Sequence, residues 1–388
     1  MKTLINDIKI RKKNLQDAMR KLNMEGCLIS TNVNVYYLTG MIFNGYLYIS
    51  INGEVHYFVK QPVGLSDNKV IYINKPEQIP DLLKEKGVKI PETLLMEEDE
   101  LAYSEYIRLH TIFKPQKTGN ASSLMRTIRA VKTPYEINQL KISGKKHSSV
   151  YFDMMSCYRK GMRDLDLQYR IEYIMRKNGS LGLFRAFGSN MDNFMGTVLA
   201  GDNAGAPSPY NFALGGAGFD NAHPIGANGT VIKKGMTVMI DMAGNFTPYI
   251  TDMSRVFSLG EIPEKAHKAH NISILIHNEL KSIAKPGISC SELYNVANKI
   301  VEKEKLSDFF MGTKQQAKFI GHGIGLQINE LPVITARSKE ILQQNMVIAI
   351  EPKFVIPGIG AVGIENSYLV TENGIKNITV FTEKILSF

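Results

Sequence analysis

Apolar positions in the first third of the chain change period repeatedly. From Leu15 to Met24 they recur every three to four residues, which predicts an amphipathic helix. Gly26-Cys-Leu-Ile-Ser30 is a short continuous apolar run, the pattern of a buried strand. Tyr46–Ser50 and Val55–Val59 flank Asn52-Gly53, a strong hairpin signal. Residues 78–88 read as helix and Thr93–Met96 as strand. This alternation predicts an α/β domain over residues 1–124. A polar stretch of small residues, Gly119 to Ser123, marks its end.

The second domain is expected over residues 125–388. Thr133, Pro134 and Glu136 form a capping-box signature, and helical periodicity then runs to about Lys177. From Gly196 onward, Gly-rich loops alternate with β-runs at Thr237–Asp241, Tyr249–Leu259, Met346–Ile356, Ala361–Val370 and Asn377–Phe381. A helical stretch from Pro263 to Lys305 interrupts them. This predicts an α+β domain with a mainly antiparallel sheet.

Composition narrows the class. The chain has 388 residues, 44% apolar and 21% charged, an ordinary globular balance. No segment reads as a membrane-spanning helix, and the Lys/Arg-rich N-terminus lacks the pattern of a secretory signal. Three widely spaced cysteines, Cys27, Cys157 and Cys290, read as reduced thiols of a cytoplasmic protein. Net charge is +9, but residues 126–150 alone hold six basic and one acidic residue. Such a concentration, with few aromatics, reads as a solvated helix face, so no nucleic-acid partner is expected. Gly358-Ile-Gly-Ala-Val-Gly363 matches GxGxxG but joins two β-runs and opens no helix, so it is not a dinucleotide site.

Candidate chemistry lies in the β-runs. Asp241, Asp252, Glu351 and Glu365 sit within or at the ends of apolar stretches with few Lys or Arg close by in sequence. Burying a carboxylate costs several kcal/mol unless it is paired or bound to metal, so four together require a shared cation. A hairpin turning at Phe246-Thr247 would place Asp241 directly opposite Asp252. Glu351 and Glu365 flank Pro357–Gly360 in the same way. His322, in Gly321-His-Gly-Ile-Gly325, completes a hard-to-borderline set suited to a pair of Mn²⁺, Co²⁺, Zn²⁺ or Fe²⁺ ions. The loop Ala204–Gly218, rich in Gly, Pro and aromatics, reads as facing a substrate.

The blocks Asp241–Arg255, Gly321–Pro332 and Ile350–Asn366, in that order, resemble the three signatures of the creatinase / aminopeptidase P / prolidase family of pita-bread metallopeptidases. The segment Gly26–Gly40 is similar to that family's N-terminal domain. The resemblance implies a dinuclear metallo-aminopeptidase or dipeptidase that hydrolyses the N-terminal Xaa-Pro bond of dipeptides or short peptides by attack of a metal-bridging hydroxide. It implies that Asp241 binds one metal and His322 the other, that Asp252 and Glu365 bridge, and that Glu351 is both ligand and general base. It further implies two divalent metal ions, Mn²⁺ ahead of Co²⁺, Zn²⁺ or Fe²⁺, a homodimer, and a catalytic and substrate-binding role for His223. Asn329 and Lys318 stand where the family commonly has histidines that contact substrate. These departures keep open a creatinase-like C–N hydrolase or lyase acting on a small non-peptide substrate.

Overall fold

In the computed structural model, which describes residues 3–188 and 194–388, the chain parts between Arg129 and Ala130 into two units. The N-terminal unit is built on a six-stranded mixed sheet. Its strands, from edge to edge, are Val70–Tyr72, Val55–Gln61, Asn44–Ser50, Gly26–Ile29, Thr93–Met96 and Lys117–Asn120. The Asn52-Gly53 turn joins an antiparallel pair with Ile49 opposite Val55, whereas Gly26–Ile29 pairs in parallel with Thr93–Met96. Helices lie in the connection from Gly26–Ile29 to Thr93–Met96 and in that from Thr93–Met96 to its parallel neighbour Lys117–Asn120, whereas a loop alone joins the parallel pair Val55–Gln61 and Val70–Tyr72. Leu28, Phe58, Leu94, Leu109 and Phe113 share one core there. The helix expected from Leu15 extends over Leu4–Leu22, where Arg11 and Asp7 form a buried ion pair at 2.5 Å.

The polar stretch Gly119–Ser123 lies wholly in regular structure. Lys117–Asn120 is an edge strand, and the helix Ala121–Ala130 follows at once. An edge strand tolerates polar residues because only one neighbour covers it. Asn120 then accepts a hydrogen bond from the Ser122 amide, satisfying a free donor at the helix start.

In the C-terminal unit the capping box forms as read: the Thr133 amide donates to Glu136 Oε2 and the Glu136 amide to Thr133 Oγ1. The helical stretch that follows is two helices, Pro134–Met154 and Asp164–Lys177. The later one is also two, Glu264–Ile283 and Cys290–Lys303, with Gly287 at φ +96° between them. A four-stranded sheet contains Gly196–Ala200, Thr237–Gly244 and Thr251–Ser258, and a five-stranded sheet contains Phe319–Gly323, Val347–Ile350 and Asn366–Thr371. Nearly all pairings here are antiparallel.

Met346–Ile356 and Ala361–Val370 are not single strands. Each breaks once, giving Val347–Ile350 then Lys353–Ile356, and Gly360–Gly363 then Asn366–Thr371. The outer halves pair with each other in the five-stranded sheet and the inner halves form a separate ribbon, so one long hairpin leaves its sheet part-way. Asn377–Phe381 is likewise not a strand; the strand ends at Asn377. Beyond it the Thr379 hydroxyl, not a backbone ladder, accepts from the Ser367 amide.

Candidate metal centre

Four of the five expected ligands owe their position to these hairpins. In the first, Asp241 lies opposite Ser254 and Asp252 opposite Ala243. The turn therefore sits one residue later than Phe246-Thr247 would place it, and the two aspartates are diagonal neighbours, not direct partners. Their register is offset by an even number of residues, so both side chains still point to the same face. In the second hairpin, Glu351 and Glu365 occupy the two breaks where the chain leaves the sheet. The flanking pairs, Ile350 with Asn366 and Lys353 with Gly363, put them opposite each other.

His322 is held on the strand Phe319–Gly323. Gly321 lets that strand lie close against Ala349, where any Cβ would run into the Ala349 backbone. The imidazole Nε2 is 3.5 Å from Glu351 Oε1, and Nδ1 is 3.1 Å from the Gly323 carbonyl. Among the described residues, two groups of donor atoms lie close enough to hold a cation: Asp252, His322 and Glu365, and Asp241, Glu351 and Glu365.

The second group already has a cation. The fully buried Lys353 Nζ donates to Asp241 Oδ2 at 2.7 Å, Glu351 Oε2 at 2.7 Å and Glu365 Oε2 at 3.0 Å. The expectation of few basic groups near the carboxylates missed this residue, two positions from Glu351. Its signal was present: a lysine opening the apolar run Phe354-Val-Ile356. A second buried cation, Arg255, donates to the carbonyls of Ser254, Glu365 and Thr382 and so fixes the backbone at Glu365.

The electrostatics reflect crowding of like charges. Burial, then Glu365, Asp241 and Glu351, push the Asp252 carboxyl far above its ordinary range. Burial and Glu351 push Glu365 up as well. Burial also disfavours ionised Glu351, but Lys353 and His322 override it and hold that carboxyl low. One ammonium does not neutralise four carboxylates. Glu365 Oε1, buried, accepts no hydrogen bond. With His322 and Asp252 the Glu365 carboxylate forms a nitrogen-and-oxygen set that fits a divalent ion.

Asp241, Asp252, His322, Glu351 and Glu365 all line one cavity of about 470 Å³. Phe184, Tyr210, Phe212 and Phe319 give it apolar walls, and Ala204–Ala206 and Tyr210–Gly215 bring the Gly-rich loop to it. Lys318 lies exposed at this lining. Asn329 also lines it, but its side-chain amide is engaged by Phe187, accepting from the amide at 2.6 Å and donating to the carbonyl at 2.9 Å. His223 is exposed and is not among the lining residues; its ring lies 6.5 Å from that of Phe194, which is.

The sequence pattern of metallopeptidase family M24 matches residues 138–372, and that of the creatinase/prolidase N-terminal domain matches residues 11–131. The chain belongs to metallopeptidase family M24. It is 26% identical over 386 residues to an Xaa-Pro dipeptidase of Pyrococcus furiosus, covering 98% of this chain and 100% of that protein. It is 24% identical to the putative dipeptidase YkvY of Bacillus subtilis, covering 95% and 97%. Among solved structures, the prolidase from Pyrococcus horikoshii OT3 superposes with a TM-score of 0.77 at 23% identity, covering 97% and 100%. The X-Pro aminopeptidase from Thermotoga maritima MSB8 gives 0.80 at 22%, covering 97% and 99%. The fold is therefore pita-bread in the M24 unit. Membership implies divalent metal ions, for which the described residues offer the donor groups above.

Proposed function

We propose that this M24 peptidase hydrolyses the N-terminal Xaa-Pro bond of dipeptides or short peptides. The observation that carries the reading is the convergence of Asp241, Asp252, His322, Glu351 and Glu365 on one cavity. A volume of about 470 Å³ suits a ligand of dipeptide size, and the names of the relatives above support the Xaa-Pro preference. They do not favour the creatinase-like alternative.

Asp252, His322 and Glu365 would hold a divalent ion, which when bound supplies Lewis acidity to polarise the scissile carbonyl and acidify the attacking water. Glu351 stays ionised because Lys353 holds its Oε2 and His322 stands beside its Oε1, and Oε1 would accept a proton from that water and pass it to the leaving nitrogen. The aromatic walls exclude bulk water and seat the apolar part of the substrate. Lys318 brings positive charge to the cavity, where it offsets negative charge developing on the carbonyl oxygen.

Manganese, a homodimer and a cytoplasmic location belong to the same proposal. The carboxylate oxygens of the donor set suit the first; all three cysteines are buried and free, which supports the last. Among the described residues no helix is long and apolar enough to cross a membrane. The deciding experiment is a panel of Xaa-Pro and Xaa-non-Pro dipeptides assayed with added Mn²⁺ or Co²⁺. Cleavage restricted to Xaa-Pro is expected; no cleavage by fully metal-loaded protein would remove the proposal.

A further inference from the structure

We propose that the Lys353 ammonium permanently occupies one of the two cation positions of this centre, so that the chain holds a single divalent ion among Asp252, His322 and Glu365. The inference rests on the metal dependence in the reading above, not on the Xaa-Pro preference.

An ammonium carries three N–H donors. All three are used here, one each on Asp241, Glu351 and Glu365. Those three residues are one of the two donor groups able to hold a cation among the described residues. A transition-metal ion binds carboxylate oxygen at about 2.0–2.2 Å. An ion on the same oxygens would therefore overlap Nζ and repel it.

Lys353 has nowhere else to go. It is paired with Gly363 in the inner ribbon, and its carbonyl accepts from the Met311 amide at 2.8 Å. Gly363, at φ +121°, lets the two strands lie so close that a Cβ would stand 3.0 Å from Lys353 Cα. The lysine side chain has no solvent exposure and does not line the cavity, so its charge approaches the carboxylates from the protein side.

The other group is arranged differently. Asp252, His322 and Glu365 all line the cavity. Glu365 is 1% exposed, and its Oε1 has no partner, while its Oε2 serves Lys353 and Ser254. One carboxylate thus faces a fixed ammonium with one oxygen and offers the other to an ion. The lysine and one divalent ion together supply three positive charges against four carboxylates.

The test is metal content. Protein purified without chelators is equilibrated with Mn²⁺ and its bound metal counted by mass spectrometry, alongside Lys353→Met and Lys353→Gln. One Mn²⁺ per wild-type chain and two in either folded variant are expected. Two in the wild type, none in the wild type, or one in a folded variant would overturn the proposal. Should neither variant fold, anomalous diffraction at the manganese edge from wild-type crystals decides. A single peak beside Asp252, His322 and Glu365 supports the proposal, whereas two peaks, or one between Asp241 and Glu351, refute it. Xaa-Pro cleavage measured on the same preparations separates the two ideas. One Mn²⁺ without cleavage removes the peptidase reading alone, and two Mn²⁺ with cleavage removes this one alone.

Discussion

Lys353 Nζ lies 2.7 Å from Asp241 Oδ2, although 112 residues separate them in the chain. Two hairpins from different sheets meet there, one bringing the acid and the other the base. The contact makes the carboxylate cluster part of the folded core as well as a candidate centre for catalysis.

The ion-holding group should be the most sensitive to change. Asp252→Asn, His322→Ala and Glu365→Gln are each expected to lower kcat/KM on a cleaved Xaa-Pro dipeptide roughly a thousandfold, because metal polarisation is worth several kcal/mol. Bound Mn²⁺ should fall in parallel, while circular dichroism stays native. Retained activity in His322→Ala would contradict the assignment.

Glu351 and His223 should separate cleanly. Glu351→Gln removes the proton acceptor and is expected to cost at least about a hundredfold in kcat. His223, exposed and outside the cavity lining, should tolerate Ala with less than about a tenfold loss. Steady-state kinetics of the two variants, on the same substrate, checks the contrast.

Asn329 lines the cavity while its amide is held by the Phe187 backbone. Asn329→Ala removes both bonds and a polar group from the cavity lining, so KM is expected to rise several-fold with a smaller change in kcat. An unchanged KM would show that the wall does not depend on the amide.

Chelation should be read in stability as well as in turnover. Dialysis against EDTA is expected to abolish cleavage and lower Tm. A ligand at a hundred times its Kd contributes about 2.7 kcal/mol to the folded state. Restoring Mn²⁺ should restore both, as differential scanning calorimetry and activity assays would show.

Acid should destabilise the C-terminal unit through its buried histidines. Burial holds His147 and His277 down to about 3 and His270 down to about 4. Between these values and the ordinary 6.5 of an exposed imidazole, the unfolded chain binds protons that the folded chain refuses. Stability contributed by the neutral rings is therefore complete above about pH 6.5 and is lost as pH falls toward 4, by up to about 1.4 kcal/mol per pH unit for each ring. Urea midpoints from pH 7.5 to 4.5 should decline more steeply in the wild type than in His277→Gln. Equal slopes would dismiss this account.

Some of this was legible in the chain itself. Period-2 and period-3.6 patterns, Asn52-Gly53 and the Thr133–Glu136 box depend on neighbours within a few residues, so they state their own structure. The four carboxylate donors were also visible, because a carboxylate in an apolar β-run is anomalous wherever it occurs, and His322 stood out between the glycines of Gly321–Gly325. What the tertiary structure decided was pairing. The even register offset between Asp241 and Asp252, the breaks at Glu351 and Glu365, and the Asn329–Phe187 contact each depend on where a distant strand or loop lies. Lys353 is the sharpest case: its position beside Glu351 is written in the sequence, but its charge gains meaning only when folding lays Asp241 and Glu365 around it, out of water, where an unpaired ammonium could not remain.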